Sequence, residues 1–133
     1  MSKIFPVAFA AFAGIAAFAV AGHAATLNVQ PYSDAAFAAA QKANRKIIVE
    51  VHAPWCPVCA AQGRALAKLS ENPANRDIII FRIDFDTQKP LWQKFGAQKQ
   101  STLIAFRGKR ETGRIVYVAD EASVAKLLAS VNG

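Results

Sequence analysis

Apolar and polar positions along the chain alternate between strand-like and helix-like periods. Leu27-Asn28-Val29 predicts a short first strand. Ser33 or Asp34 then caps an Ala-rich helix running to about Ala43, with Phe37 as its core anchor. Ile47–His52 carries four β-branched residues, the composition of a strand buried on both faces. Pro57 suits the first position of a helix that continues through Ala60–Leu69, with Leu66 and Leu69 one turn apart. Ser70–Asp77 is a polar loop containing Asn72-Pro73, and Ile78–Asp84 is a second buried strand. Pro90–Phe95 predicts a short helix stopped by Gly96. Thr102–Arg107 and Arg114–Val118 predict two strands joined as an antiparallel hairpin by a turn through Gly108 and Gly113. Asp120 caps a final helix whose apolar stripe is Val124, Leu127, Leu128 and Val131.

The predicted order is β-α-β-α-β-α-β-β-α. Crossover helices make the early strands parallel, and the hairpin adds antiparallel ones. The fold class is therefore α/β, with a central mixed sheet of four to five strands flanked by helices. No internal repeat, linker or low-complexity segment interrupts the order after residue 25.

The first residues read differently. Lys3 is followed by a charge-free run from Ile4 to Val20, and Gly22-His23-Ala24 places small residues where a signal peptidase reads. Residues 1–24 are expected to be a signal peptide cleaved after Ala24, leaving a domain at 25–133. The alternative is an uncleaved anchor, for which the run is short of the ~20 residues of a spanning helix. Either way the domain is expected to be exported, to a bacterial periplasm or to a membrane face exposed to it. Without residues 1–24 the chain keeps 15 basic and 9 acidic side chains, a net charge of +6. The excess is scattered over the chain without a basic tract interleaved with aromatics, so no nucleic-acid partner is expected. A domain of this size holds a core without disulfide staples and is read as a monomer.

Both cysteines lie in Trp55-Cys56-Pro57-Val58-Cys59. At this spacing they cannot close a long stabilising loop, and zinc lacks a fourth ligand beyond Cys56, Cys59 and His52. No metal site and no cofactor are expected. A strand delivers Cys56 to a sheet end and a helix begins behind it, where unpaired N–H groups and the helix dipole favour a thiolate. This suits thiol–disulfide exchange: Cys56 attacks, and Cys59 resolves the mixed disulfide. Cys56 is expected to be exposed, accepting from the Val58 and Cys59 N–H groups, with Cys59 buried one turn on. Val58 brings no charge to the thiolate, which tilts the pair toward a reductant rather than a strong oxidant.

Over nearly all of residues 25–133 the chain resembles the thioredoxin superfamily. The resemblance is carried by Ile47–Cys59, by Phe81-Arg82-Ile83-Asp84-Phe85-Asp86, and by Phe95-Gly96-Ala97 through Gln100-Ser101-Thr102-Leu103-Ile104-Ala105-Phe106. It implies a thioredoxin-like fold and thiol–disulfide oxidoreductase activity. It also implies that Glu50, at the family's buried-acid position, is raised in pKa by burial and accepts the Cys59 proton. Arg82 stands where a cation moderates that acid, and His52 shares a strand face with Glu50 as a further tuning or packing residue. Trp55, with Pro54, is read as an apolar rim for docking partners and Pro57 as part of the same substrate-binding surface, and the resemblance places Gln100 and Ser101 in the loop whose backbone pairs with a bound substrate chain. Ser101 departs from the family's cis-proline, so the Gln100–Ser101 bond is expected to be trans. The implied partners are cysteines of other exported proteins and a membrane thiol-electron transporter. Relatives with a Cys-Pro-x-Cys site serve cytochrome c maturation. A competing reading from the residues is a copper(I) carrier using the same two thiols, since thiolates select soft metals. The only Met is Met1, which counts against it.

Overall fold

The computed structural model describes residues 27–133; the expected signal peptide and its cleavage site lie outside them. The elements are β1 (Asn28–Pro31), α1 (Asp34–Lys42), β2 (Lys46–His52), α2 (Pro57–Leu69), β3 (Ile79–Asp84), α3 (Lys89–Lys94), β4 (Thr102–Arg107), β5 (Arg110–Val116) and α4 (Glu121–Ala129), with one 3-10 turn at Pro73–Asn75. The sheet order is β1-β3-β2-β4-β5. β1, β3 and β2 run parallel, while β4 pairs antiparallel with both β2 and β5. The expected mixed sheet is thus five-stranded, and its central strand β2 leads directly to the cysteines. No helix among the described residues is long and apolar enough to cross a membrane.

Strand alternation divides the core into two layers. Ile47, Val49, Val51, Phe81, Ile83, Ile104 and Phe106 pack with Phe37 of α1 and Trp92 of α3. On the other face Ile48, Ile80, Leu103 and Ala105 pack under Leu66 of α2 and Val124, Leu127 and Leu128 of α4. Glu50 and His52 continue the Ile48 side of β2, so both lie on the face that carries α2.

The hairpin departs from expectation. β5 begins at Arg110, and its turn is the two residues Gly108-Lys109 rather than a stretch reaching Gly113. Gly113 lies inside the strand, beside a register shift at Ala105/Phe106 that leaves Thr112 as an extra residue. A Cβ there would sit 3.2 Å from Leu127 Cδ1, so the glycine lets α4 approach the sheet. Val118 is not in the strand, because Tyr117 at φ 58° ends it. Val131 is fully buried but lies beyond the end of α4.

Candidate active site

Cys56 is the N-cap of α2: its backbone is extended, and its sulfur accepts from the Cys59 N–H at 3.2 Å. Pro57 follows at the start of the helix, where its missing N–H removes no helical bond. Cys59 lies on the buried stripe of α2 with Gln62 and Leu66. Both cysteines are free thiols.

The expectation of an exposed Cys56 is corrected. Cys56 and Cys59 are each 2 % exposed, because Ala53, Val58 and Phe85 pack around them and Ser101 covers the pair. Ser101 Oγ is 3.1 Å from Cys56 Sγ and 2.9 Å from Cys59 Sγ. Burial pushes the Cys56 thiol up, but the Cys59 side chain, the Ser101 hydroxyl and the Cys59 and Val58 N–H groups outweigh it, and its pKa falls below the ordinary thiol value. Cys59 moves the other way: burial and the neighbouring Cys56 raise it. The two sulfurs therefore divide as nucleophile and proton-bearing partner.

Ser101 is held in a conformation closed to proline. Its φ is 58°, far from proline's −65°. Its N–H, which proline lacks, donates to Val51 O at 2.9 Å. Its carbonyl accepts from the Tyr117 N–H at 2.9 Å and from Gln62 Nε2 at 3.0 Å. A left-handed non-glycine residue costs roughly 1–2 kcal/mol, which these bonds offset. The Gln100–Ser101 bond is trans, as are all peptide bonds among the described residues.

Gln62 was not anticipated as a site residue. It is fully buried and clamps two segments, donating to Ser101 O and, at 2.8 Å, to Val118 O. Its one signal in the sequence is a polar residue on the otherwise apolar 59–62–66 stripe of α2. Asp86 is a second addition. It accepts from Trp55 Nε1 at 2.8 Å and so fixes an indole that is 58 % exposed beside the cysteines. Pro57 is exposed and Gln100 half-buried on the same rim.

Glu50 is 2 % exposed, but the expected upward shift of its pKa is overturned. Burial does push the carboxyl up. Arg82, its register partner on β3, places Nε 2.7 Å from Oε2, and His52 Nδ1 stands 3.7 Å from Oε1; together they draw the carboxyl below its ordinary 4.5. The His52 separation exceeds hydrogen-bond length, so the Arg82 pair is the firmer part of this effect. Glu50 makes no hydrogen bond to either cysteine. Because its folded pKa is depressed, its contribution to stability is fully present above about pH 4.5 and is lost as pH falls through the folded value. Arg82→Gln is expected to reduce stability at pH 7 by about 1 kcal/mol, the exposure of the Arg side chain limiting the pair, and to shrink the acid-side loss carried by Glu50, because burial then pushes its folded pKa back up. Urea midpoints measured from pH 3 to 7 check both effects.

Among the described residues no group of three or more His, Cys, Asp or Glu is placed to hold a metal. Two neighbouring thiols of opposed proton affinity, at the N-terminus of a helix fed by the central strand of a mixed sheet, define a dithiol–disulfide exchange site. The thioredoxin family model matches residues 28–130, and the chain belongs to that family. It is a thiol–disulfide oxidoreductase. A putative thioredoxin-5 from Dictyostelium discoideum is 31% identical over 102 residues, covering 74% of this chain and 97% of the relative. Thioredoxin H-type of Brassica oleracea is 29% identical over 90 residues, 68% and 72% of the two chains. The crystal structure of Trxlp from Edwardsiella tarda EIB202 superposes with a TM-score of 0.71 at 43% identity, covering 75% of this chain and 97% of that one.

Proposed function

We propose that this thioredoxin-family protein works outside the cytoplasm as a reductant of disulfides in other exported proteins, recharged by a membrane thiol-electron transporter. Export rests on the leader-like run before residue 25. The direction of electron flow rests on one observation: the groups that lower the Cys56 pKa are neutral donors, namely Cys59, Ser101 and two backbone N–H groups. A cation over the sulfur would favour the reduced form strongly and make the disulfide a strong oxidant; neutral donors favour it less.

The reaction runs in two steps. Cys56 thiolate attacks a substrate disulfide, forming a mixed disulfide and releasing one substrate thiolate. Cys59 then attacks Cys56 Sγ, freeing the second substrate sulfur and closing the Cys56–Cys59 disulfide. Trp55, Pro57 and Gln100 form the rim against which the substrate rests.

Equilibration with glutathione buffers is expected to give a reduction potential between about −220 and −280 mV, the range of reducing thioredoxin-like pairs. A value above about −180 mV would reverse the proposed direction of flow. Stoichiometric copper(I) held against a competing chelator, without exchange activity, would favour the carrier reading instead.

A further inference from the structure

We infer that the Ser101 hydroxyl is a catalytic proton relay between the two cysteines during resolution of the mixed disulfide, an inference that rests on the two-step exchange above. Its oxygen lies within hydrogen-bond distance of both sulfurs, 3.1 Å from Cys56 Sγ and 2.9 Å from Cys59 Sγ. A hydroxyl has one proton to give and lone pairs to accept with. Between a thiolate and a thiol, one arrangement satisfies every group: Cys59 S–H donates to Ser101 Oγ, and Ser101 O–H donates to the Cys56 thiolate.

The surroundings hold that hydroxyl in place. Ser101 is fully buried, and both of its backbone polar groups are bonded: N–H to Val51 O, and carbonyl to Tyr117 N–H and Gln62 Nε2. The residue most expected to take the Cys59 proton, Glu50, has its Oε2 engaged by Arg82 and touches neither sulfur through a hydrogen bond. Ser101 Oγ is the side-chain oxygen that does.

In the resolving step Cys59 Sγ forms a bond to Cys56 Sγ while the bond from Cys56 Sγ to the substrate sulfur breaks. The electron pair of that bond leaves with the substrate sulfur. The Cys59 proton passes to Ser101 Oγ as the Ser101 proton passes to the departing sulfur. The products are the Cys56–Cys59 disulfide, a neutral substrate thiol and an intact serine. The departing sulfur is one S–S bond, about 2.05 Å, from the atom that Ser101 already faces.

The test uses the full chain with Cys56 preloaded as its glutathione mixed disulfide, and follows glutathione release by rapid quench across pH. Ser101→Gly removes the hydroxyl, keeps both backbone groups and suits φ 58°; Ser101→Ala, which keeps the Cβ, is the second variant. Both are expected to slow release by about 10²-fold near neutral pH, with a pH profile displaced upward. Alkylation of reduced Cys56 well above its pKa is expected to stay within about threefold of wild type, since the relay acts after attack. Release within twofold of wild type with an unmoved profile overturns the relay. So does a high-pH alkylation rate that falls by the same factor as release, which marks Ser101 as a shaper of the site alone. A wild-type chain that never releases glutathione sinks the exchange scheme itself, an outcome distinct from a glycine variant that matches a working wild type.

Discussion

Cys56→Ser is expected to reduce disulfide exchange by more than about 10⁴-fold, or about 5.5 kcal/mol of barrier, while leaving the fold intact. The loss is chemical. A serine hydroxyl is not ionised near neutral pH, and oxygen does not replace sulfur in a disulfide. Structurally the exchange is mild, because Cys56 caps α2 through a bond from the Cys59 N–H, and serine is among the preferred residues at that position. Ser101 keeps a hydrogen-bonding neighbour as well. The melting temperature should therefore stay within a few degrees while turnover of a protein disulfide falls to background. Cys59→Ser should have the opposite signature, forming mixed disulfides with partners that do not resolve. Retained exchange in Cys56→Ser, or trapping by Cys56→Ser instead of Cys59→Ser, would reverse the nucleophile assignment.

The parts of this site that depend on local chain chemistry were legible in the sequence. The β-branched run of β2 marks a strand buried on both faces, and Pro57 marks the start of α2. Those two signals alone place Cys56 at a helix N-terminus. Features that depend on what sits opposite were not legible. Glu50 stands out as an acid in an apolar strand, but its pKa follows from the β2–β3 register that sets Arg82 beside it. Without Arg82 and His52 beside it, burial alone would have raised the carboxyl as expected. The burial of Cys56 is completed by Phe85 and by Ser101, 29 and 45 residues away, and the left-handed turn at Ser101 is held by Tyr117 and Gln62 from two further segments. The start of β5 was missed because an edge strand with solvent on one side needs no apolar residues at Arg110, Glu111 and Thr112.

Phe37→Ala is expected to produce the largest loss of stability of any single change discussed, about 3–5 kcal/mol. The ring is 9 % exposed and sits among Tyr32, Phe81, Phe95 and Phe106, with centroids 5.5, 5.8, 5.3 and 5.5 Å away. These neighbours come from the segment after β1, from β3, from the end of α3 and from β4, so one side chain joins α1 to most of its sheet face. Three of the four contacts are edge-on, the arrangement in which ring quadrupoles attract. Truncation removes those contacts and leaves a void that Phe81 and Phe106, fixed to strands, cannot close. A groove lined by Tyr32, Asp34 and Lys94 opens beside the ring, so water enters part of the space and holds the cost toward the lower end of the range. For a domain of this size that is a fall in melting temperature of roughly 12–25 °C. Phe37 lies on the α1/α3 side of the sheet, whereas α2 carries the cysteines on the other. Below its lowered melting point the variant should therefore keep the wild-type Cys56 alkylation profile and exchange rate. A shifted thiolate titration in a folded Phe37→Ala protein would show that the two faces of the sheet are coupled, through β2 or through Phe85, which packs against both the Phe37 layer and the cysteines.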